Sequence, residues 1–210
     1  MAYYDSILFD FDGVLADTEP IHHVCWREVL LPFGIDLDWD TYRSRCVGPS
    51  DWEIMVMLAA GHRPPLDPNE LYATRPAKQR LFADRLAGNP PIPASMREFI
   101  SGLNDYRIAV VSSSDVLEIE PPLIASGIRP LLAAMVTASH VEHHKPSPEP
   151  YLLAARLLEA KRPLVVEDSP TGIASGQAAG FDVLKVESPY TMPVALKSWL
   201  EHKNQEVAQR

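Results

Sequence analysis

The chain has 210 residues, with 46% hydrophobic and 22% charged content, figures that suit a folded globular protein and exclude a disordered or fibrous one. Nineteen basic residues against twenty-eight acidic give a net charge of −9, which argues against a nucleic-acid or membrane-surface partner recruited by the overall field. An anionic ligand must therefore be met by local cations. No apolar run approaches the roughly 20 residues of a bilayer span, and the N-terminus lacks a basic segment followed by a long apolar one, so a cytoplasmic location is expected. Cys25 and Cys46 are the only cysteines, which points to reduced thiols rather than a disulfide framework.

In chain order, Ile7 to Phe11 is an apolar run of the kind found in a strand buried on both faces of a parallel sheet. It ends in two acids, Asp10 and Asp12. Like charges held this close raise each other's pKa unless a cation or a shared proton relieves them, and a divalent metal is the simplest relief. Gly13 lets the backbone turn away and leaves room beside the acids. Thr18 and Pro20 suit a helix start, and Gly34 closes that helix. A short helix through Trp39, Tyr42 and Cys46 follows, with Gly48-Pro49 as a break. Asp51 reads as the cap of a third helix over Trp52 to Ala60. Asp67, Pro68 and Glu70 open a fourth that runs to about Leu86. Gly88 to Pro93 is too rich in helix breakers to be anything but a connection. Residues 17–88 thus read as all-helical between an early strand and a strand-rich half, residues 89–210: most simply an inserted cap, with helices packed directly on the sheet as one domain as the alternative.

In that second half, Ser95 and Glu98 have the capping-box spacing and open a helix to about Leu103. Arg107 to Val111 is a buried strand ending in Ser112, Ser113 and Ser114. Pro121 and Pro122 are poor helix-interior residues, so the next helix is expected to start at Glu120 and stop before Gly127. Ala134 to Ala138 is a short strand. His143, His144 and Lys145 precede Ser147 and Pro148, which begin another helix. Leu164 to Val166 is a strand ending in Glu167 and Asp168, with Ser169 and Pro170 opening a helix that closes at Gly180. Val183 to Val186 is the last strand, and a helix from about Pro193 is expected to fray after His202. Strands alternating with helices, without hairpin signals, imply parallel strands and right-handed crossovers. The expected fold is α/β: a Rossmann-like parallel sheet core, residues 1–16 and 89–210, with an inserted helical cap. Asp10, Asp12, Ser112, Lys145, Glu167 and Asp168 then gather at the carboxyl edge of the sheet, where open α/β folds bind ligands.

Taken singly, each of these residues has a plainer use: Ser112 as a turn residue, Lys145 as solvated surface, Glu167-Asp168 as a helix cap. His22, His23, His143 and His144 are adjacent pairs and read as separate side chains, not as a zinc site. Together, the order DxD, serine, lysine, acidic pair resembles all four signatures of the haloacid dehalogenase-like superfamily. Lys145-Pro146-Ser147-Pro148-Glu149 and Glu167-Asp168-Ser169-Pro170-Thr171-Gly172 resemble its cap-bearing branch of beta-phosphoglucomutases and related phosphatases.

That resemblance implies a role for each residue. Asp10 matches a nucleophile that becomes an aspartyl-phosphate, and Asp12 a general acid and base. Ser112 and Lys145 match groups that hold the phosphoryl oxygens. Mg2+ is the implied metal, with Asp10 and Asp168 supplying carboxylates, Asp12 its backbone carbonyl, and Glu167 acting behind them or through water. No organic cofactor is implied. Substrate contacts are expected from Ser113 in the core and from His22, Arg45 and Arg75 in the cap. The branch's mutases carry an arginine in the cap loop that matches Val47 to Asp51 here. An acid at that place disfavours a second phosphate, although Arg43, Arg45, Arg75 or Lys78 can supply a cation. The expected activity is hydrolysis of a small phosphorylated metabolite, a sugar phosphate, by a monomer, with a sugar phosphomutase as the alternative. A receiver-type signalling domain places its lysine after the acids and hydroxyl, not before a second acidic pair, and true dehalogenases lack Asp12.

Overall fold

The computed structural model describes residues 2–47, 49–88 and 90–208; the expected break at Gly48 and the connection at Asn89 fall partly outside them. The chain forms two compact units, Met1–Asp17 with Pro90–Arg210, and Thr18–Asn89.

The first unit is built on five strands, β1 (Ser6–Phe9), β2 (Arg107–Val111), β3 (Ala134–Val136), β4 (Pro163–Glu167) and β5 (Asp182–Lys185). They form one parallel sheet in the order β3-β2-β1-β4-β5. The order reverses direction at β1, so the crevice between the carboxyl ends of β1 and β4 is the switch point of the sheet. Alternation along the strands decides which face each residue serves. Ile7, Phe9, Ile108, Val110, Leu164 and Val166 pack on one side and Leu8, Ala109, Val111 and Val165 on the other.

β1 ends two residues earlier than the apolar run suggests. Asp10 N–H still donates to the Val166 carbonyl (3.0 Å), but the Phe11 carbonyl accepts from Leu15 and Ala16 N–H (both 3.0 Å), closing a turn. Phe11 is buried through that turn, not through the sheet.

The second unit is helical: α1 (Glu19–Leu30), α2 (Trp39–Arg45), α3 (Asp51–Gly61), α4 (Pro68–Tyr72) and α5 (Arg75–Gly88). Trp26, Leu30, Tyr42, Ile54, Met55 and Leu71 make its main core. Cys25, Phe82 and Leu86 form a second cluster, and both cysteines are free. Three expectations need correction here. Thr18 makes no side-chain capping bond. The cap of α3 is Ser50, in a capping box with Glu53, which leaves Asp51 in the first turn. The single helix expected to Leu86 is two. Pro76, which has no N–H to give an earlier carbonyl, forces a restart at Thr74, whose carbonyl accepts from Ala77 and Lys78 (2.9 and 3.0 Å).

Completing the first unit are α6 (Met96–Ser101), α7 (Val116–Ala125), α8 (Glu149–Leu157), α9 (Pro170–Ala178) and α10 (Met192–Ala208). Helices α6, α7 and α10 cover one face of the sheet, and α8 and α9 pack on the other. The Ser95 side chain does not cap α6. α7 starts at Val116, not Glu120: Asp115 and Glu118 close a capping box, and Pro121 and Pro122 sit inside the helix. Two lost backbone bonds are offset by the buried face of Ile119 and Leu123. α10 continues past His202 because its polar end is tied down, with the Asn204 side-chain oxygen accepting from Tyr3 N–H (2.8 Å) and Lys203 pairing with Glu206 (3.2 Å). Among the described residues, no helix is long and apolar enough to cross a membrane.

Candidate active site

Each strand of the switch point delivers its polar end to one place. Asp10 leaves β1, and its Oδ1 accepts from Lys145 Nζ at 2.6 Å. Lys145, in the loop before α8, also donates to the Val111 carbonyl (2.9 Å) and to Glu167 Oε1 (2.7 Å). An ammonium has three hydrogens, and the three acceptors account for them. The Lys145 side chain is only 4% exposed. Its loop is braced from α9, where the Ser175 hydroxyl donates to the Ser147 carbonyl.

Glu167, at the end of β4, is fully buried. Its Oε1 accepts from Lys145 and from the Tyr151 hydroxyl (3.0 Å), and its Oε2 from Asp168 N–H (2.9 Å), Ser169 N–H (3.0 Å) and Ser169 Oγ (3.0 Å). The room for it exists because residue 172 is glycine: a Cβ there would lie 1.6 Å from Glu167 Oε1. Gly13 serves Asp168 in the same way. It has φ +79°, and its absent Cβ would lie 2.1 Å from Asp168 Oδ2.

Asp12, beyond the turn from β1, takes two hydroxyls on one oxygen. Ser112 Oγ donates to Oδ2 at 3.3 Å and Ser114 Oγ at 3.0 Å, while Ser114 N–H donates to Ser112 Oγ (3.0 Å). Ser114 was not among the residues singled out from the sequence, which named its exposed neighbour Ser113. Spacing holds the only clue, since alternate residues leaving a strand point the same way.

Asp10, Glu167 and Asp168 each offer an oxygen within 4.8 Å of the others. Asp12 adds a fourth carboxylate whose charge acts on Asp10, while the Lys145 ammonium pairs with Asp10 and Glu167. Burial, opposed by Lys145 but reinforced by Glu167, Asp12 and Asp168, raises the Asp10 carboxyl well above its ordinary range. Burial also works against the Lys145 charge, but Asp10, Tyr151 and Glu167 override it and hold the ammonium protonated. Excess negative charge on hard oxygen donors fits a divalent cation such as Mg2+.

His22, Arg45 and Arg75 belong to the helical unit. The His22 ring stacks on Phe82 with centroids 4.0 Å apart. Arg45 is exposed in the last turn of α2. Arg75 Nε lies 2.9 Å from Asp51 Oδ2. Asp51, in the first turn of α3, is therefore half of an ion pair, and its repulsion of an anion is weaker than the sequence alone implies. Lys78 is buried, with its Nζ 4.9 Å from the Phe82 ring centre and 5.5 Å from that of Trp26. Of the other histidines, His23 Nε2 lies 2.8 Å from the Leu37 carbonyl and His143 Nδ1 2.8 Å from Glu149 Oε2.

A parallel sheet with acids, hydroxyl and lysine at its switch point defines a class of hydrolase, and comparison with known proteins gives the family. The profile of the haloacid dehalogenase-like hydrolases matches residues 7–186, and the chain belongs to that family. It is 31% identical over 186 residues to the fructose-1-phosphate phosphatase YqaB of Escherichia coli, covering 87% of this chain and 96% of that one. It is similar to CbbY of Rhodobacter sphaeroides, crystallised with xylulose-1,5-bisphosphate, at 25% identity and TM-score 0.71 over 86% of this chain and 84% of that one. The beta-phosphoglucomutase of Clostridium difficile shares the fold, at 20% identity and TM-score 0.76 over 98% and 99%.

Proposed function

We propose that this enzyme, a phosphoric monoester hydrolase of the haloacid dehalogenase-like family, is a Mg2+-dependent phosphatase of a small phosphorylated metabolite, a sugar phosphate. The observation that carries the reading is Asp10 held against Lys145, with Asp12 beside it under two serine hydroxyls.

In the first step a carboxylate oxygen of Asp10 attacks phosphorus and the ester P–O bond breaks, while Asp12 gives its proton to the leaving sugar oxygen. In the second, Asp12, now ionised, takes a proton from water. The water oxygen bonds to phosphorus, and the acyl-phosphate bond breaks to return the Asp10 carboxylate and inorganic phosphate. Mg2+ would be held by Asp10, Asp168 and the Asp12 carbonyl and, when bound, would supply the positive charge that lets a carboxylate approach a phosphate. Glu167, already served by five donors, acts behind the ion by fixing Lys145 and the turn at Asp168. Lys145 opposes the burial that favours a protonated Asp10 and aims its carboxyl, and Ser112 orients Asp12. Phosphoryl oxygens entering between the two aspartates share these donors, so that positioning and electrostatics carry the rate.

The relatives named above support a sugar phosphate as substrate. A phosphomutase needs a cation for a second phosphate, and Arg75, one of the cap residues that could supply it, is engaged by Asp51; hydrolysis is the favoured outcome. Phosphate release measured over a panel of sugar monophosphates, with and without Mg2+, tests the reading. Metal-dependent release from one of them supports it. No release from any monoester, or glucose 6-phosphate appearing from beta-glucose 1-phosphate and a bisphosphate primer faster than free phosphate, overturns it.

A further inference from the structure

Tyr151 lies on α8, fully buried in the face that packs under the sheet. Packing accounts for its ring but not for its hydroxyl. The hydroxyl donates to Glu167 Oε1 (3.0 Å), the same oxygen that Lys145 uses, and the face of the ring lies 4.9 Å from Lys145 Nζ. We propose that Tyr151 is a positioning residue for the reaction: by sharing Glu167 Oε1 with Lys145 and bearing its ring against the ammonium, it sets how Lys145 divides itself between Glu167 and Asp10. The inference rests on the proposed function, since it assigns Lys145 and Asp10 their parts in phosphoryl transfer.

Asp10 and Glu167 compete for one cation. Lys145 has three acceptors and no hydrogen to spare. Glu167 Oε1 is the stronger rival of Asp10, being a buried carboxylate at nearly the same distance. Every hydrogen bond that Glu167 accepts from elsewhere spreads its charge and weakens its pull on the lysine. Tyr151 supplies the one such bond on Oε1. Removing the hydroxyl from a buried site leaves Oε1 with Lys145 alone, and the ammonium moves toward Glu167. Asp10 then loses part of the contact that aims it. The ring prevents the opposite error: its negative face favours a cation held above it.

The test compares wild type, Tyr151→Phe, Glu167→Gln and the double variant against one turned-over sugar monophosphate, with thermal midpoints recorded alongside. Tyr151→Phe is expected to lower kcat roughly ten-fold with KM changed less than about two-fold, and to have little further effect in the Glu167→Gln background. Effects on kcat that multiply independently in the double variant, or an unchanged kcat in Tyr151→Phe, overturn the proposal. If Tyr151→Phe proves too unstable to assay, Glu167→Gln tests the same competition from the other side: with the rival charge gone, its crystal structure is expected to keep or shorten the Lys145–Asp10 contact, and a lengthened contact overturns the proposal. The crystal structure of Tyr151→Phe separates this inference from the functional reading. A Lys145–Asp10 contact lengthened in favour of Glu167 supports the positioning role even if no monoester is turned over, and an unaltered contact overturns it even if hydrolysis is rapid.

Discussion

Asp12 depends on hydroxyls whose contributions can be separated. Ser112 is bound by its place at the end of β2, whereas Ser114 Oγ donates to Asp12 at 3.0 Å, and the Ser114 backbone bonds survive loss of the side chain. Ser114→Ala should therefore lower kcat several-fold through a less well-aimed acid, at roughly 1 kcal/mol per lost hydrogen bond, with KM and thermal midpoint nearly unchanged. Steady-state kinetics beside a melting curve would check it; a raised KM with normal kcat would mean that Ser114 serves substrate binding instead. The glycines make a sharper case. A methyl group at Gly172 overlaps Glu167, a fully buried carboxylate with five donors. Gly172→Ala should cost about 2–4 kcal/mol by expelling that carboxylate or pushing α9 from the sheet, measurable by urea denaturation.

Among the elements, α7 tests how local signals compete. Asp115 accepts from Leu117 N–H (3.1 Å) and Glu118 from Asp115 N–H (3.1 Å), and this box nucleates a helix that two prolines interrupt. Asp115→Ala should lower stability by about 1 kcal/mol. The same element marks where sequence reasoning failed. Pro121 and Pro122 were read as breakers, yet the cap and the buried Ile119 and Leu123 outweigh them, as tertiary packing commonly does. β1, β2 and β4 were legible because each carries an apolar run with an abrupt polar end, and those ends supplied Asp10, Ser112, Glu167 and Asp168; β3 is only three residues long and β5 is charged at both ends, so their signals are weaker. Tyr151 and Ser114 were not legible. One reads as an apolar-face residue of α8 and the other as a third serine in a loop, and only three-dimensional proximity gives their hydroxyls a partner.

For the whole molecule, the gathered negative charge makes stability depend on pH and metal together. Asp10 is raised from an ordinary 3.8, first by burial and then by its acidic neighbours. An acid with a higher pKa folded than unfolded binds more protons when folded, so stability falls as pH rises from the unfolded pKa through the folded one. Acids held low by backbone donors, such as Asp38 by Thr41 and Glu53 by Ser50, act in the opposite sense, gaining their stabilisation above their unfolded pKa and completing it by about pH 5. Without divalent cations, the melting temperature of wild type should therefore fall relative to Asp10→Asn between about pH 5.5 and pH 8. Adding Mg2+ should recover more stability at the higher pH, since an ion that binds only the folded state stabilises it by mass action. Scanning calorimetry of both proteins at the two pH values would check the sign.

The central claim is that Asp10 itself takes the phosphoryl group. Acid-quenching the enzyme during turnover of a sugar monophosphate and mapping its peptides by mass spectrometry addresses this directly. A phosphoryl group is expected on the peptide bearing Asp10, absent from Asp10→Asn together with all phosphate release; undiminished release by Asp10→Asn, or a phosphoryl group on another residue, would rule Asp10 out as the nucleophile.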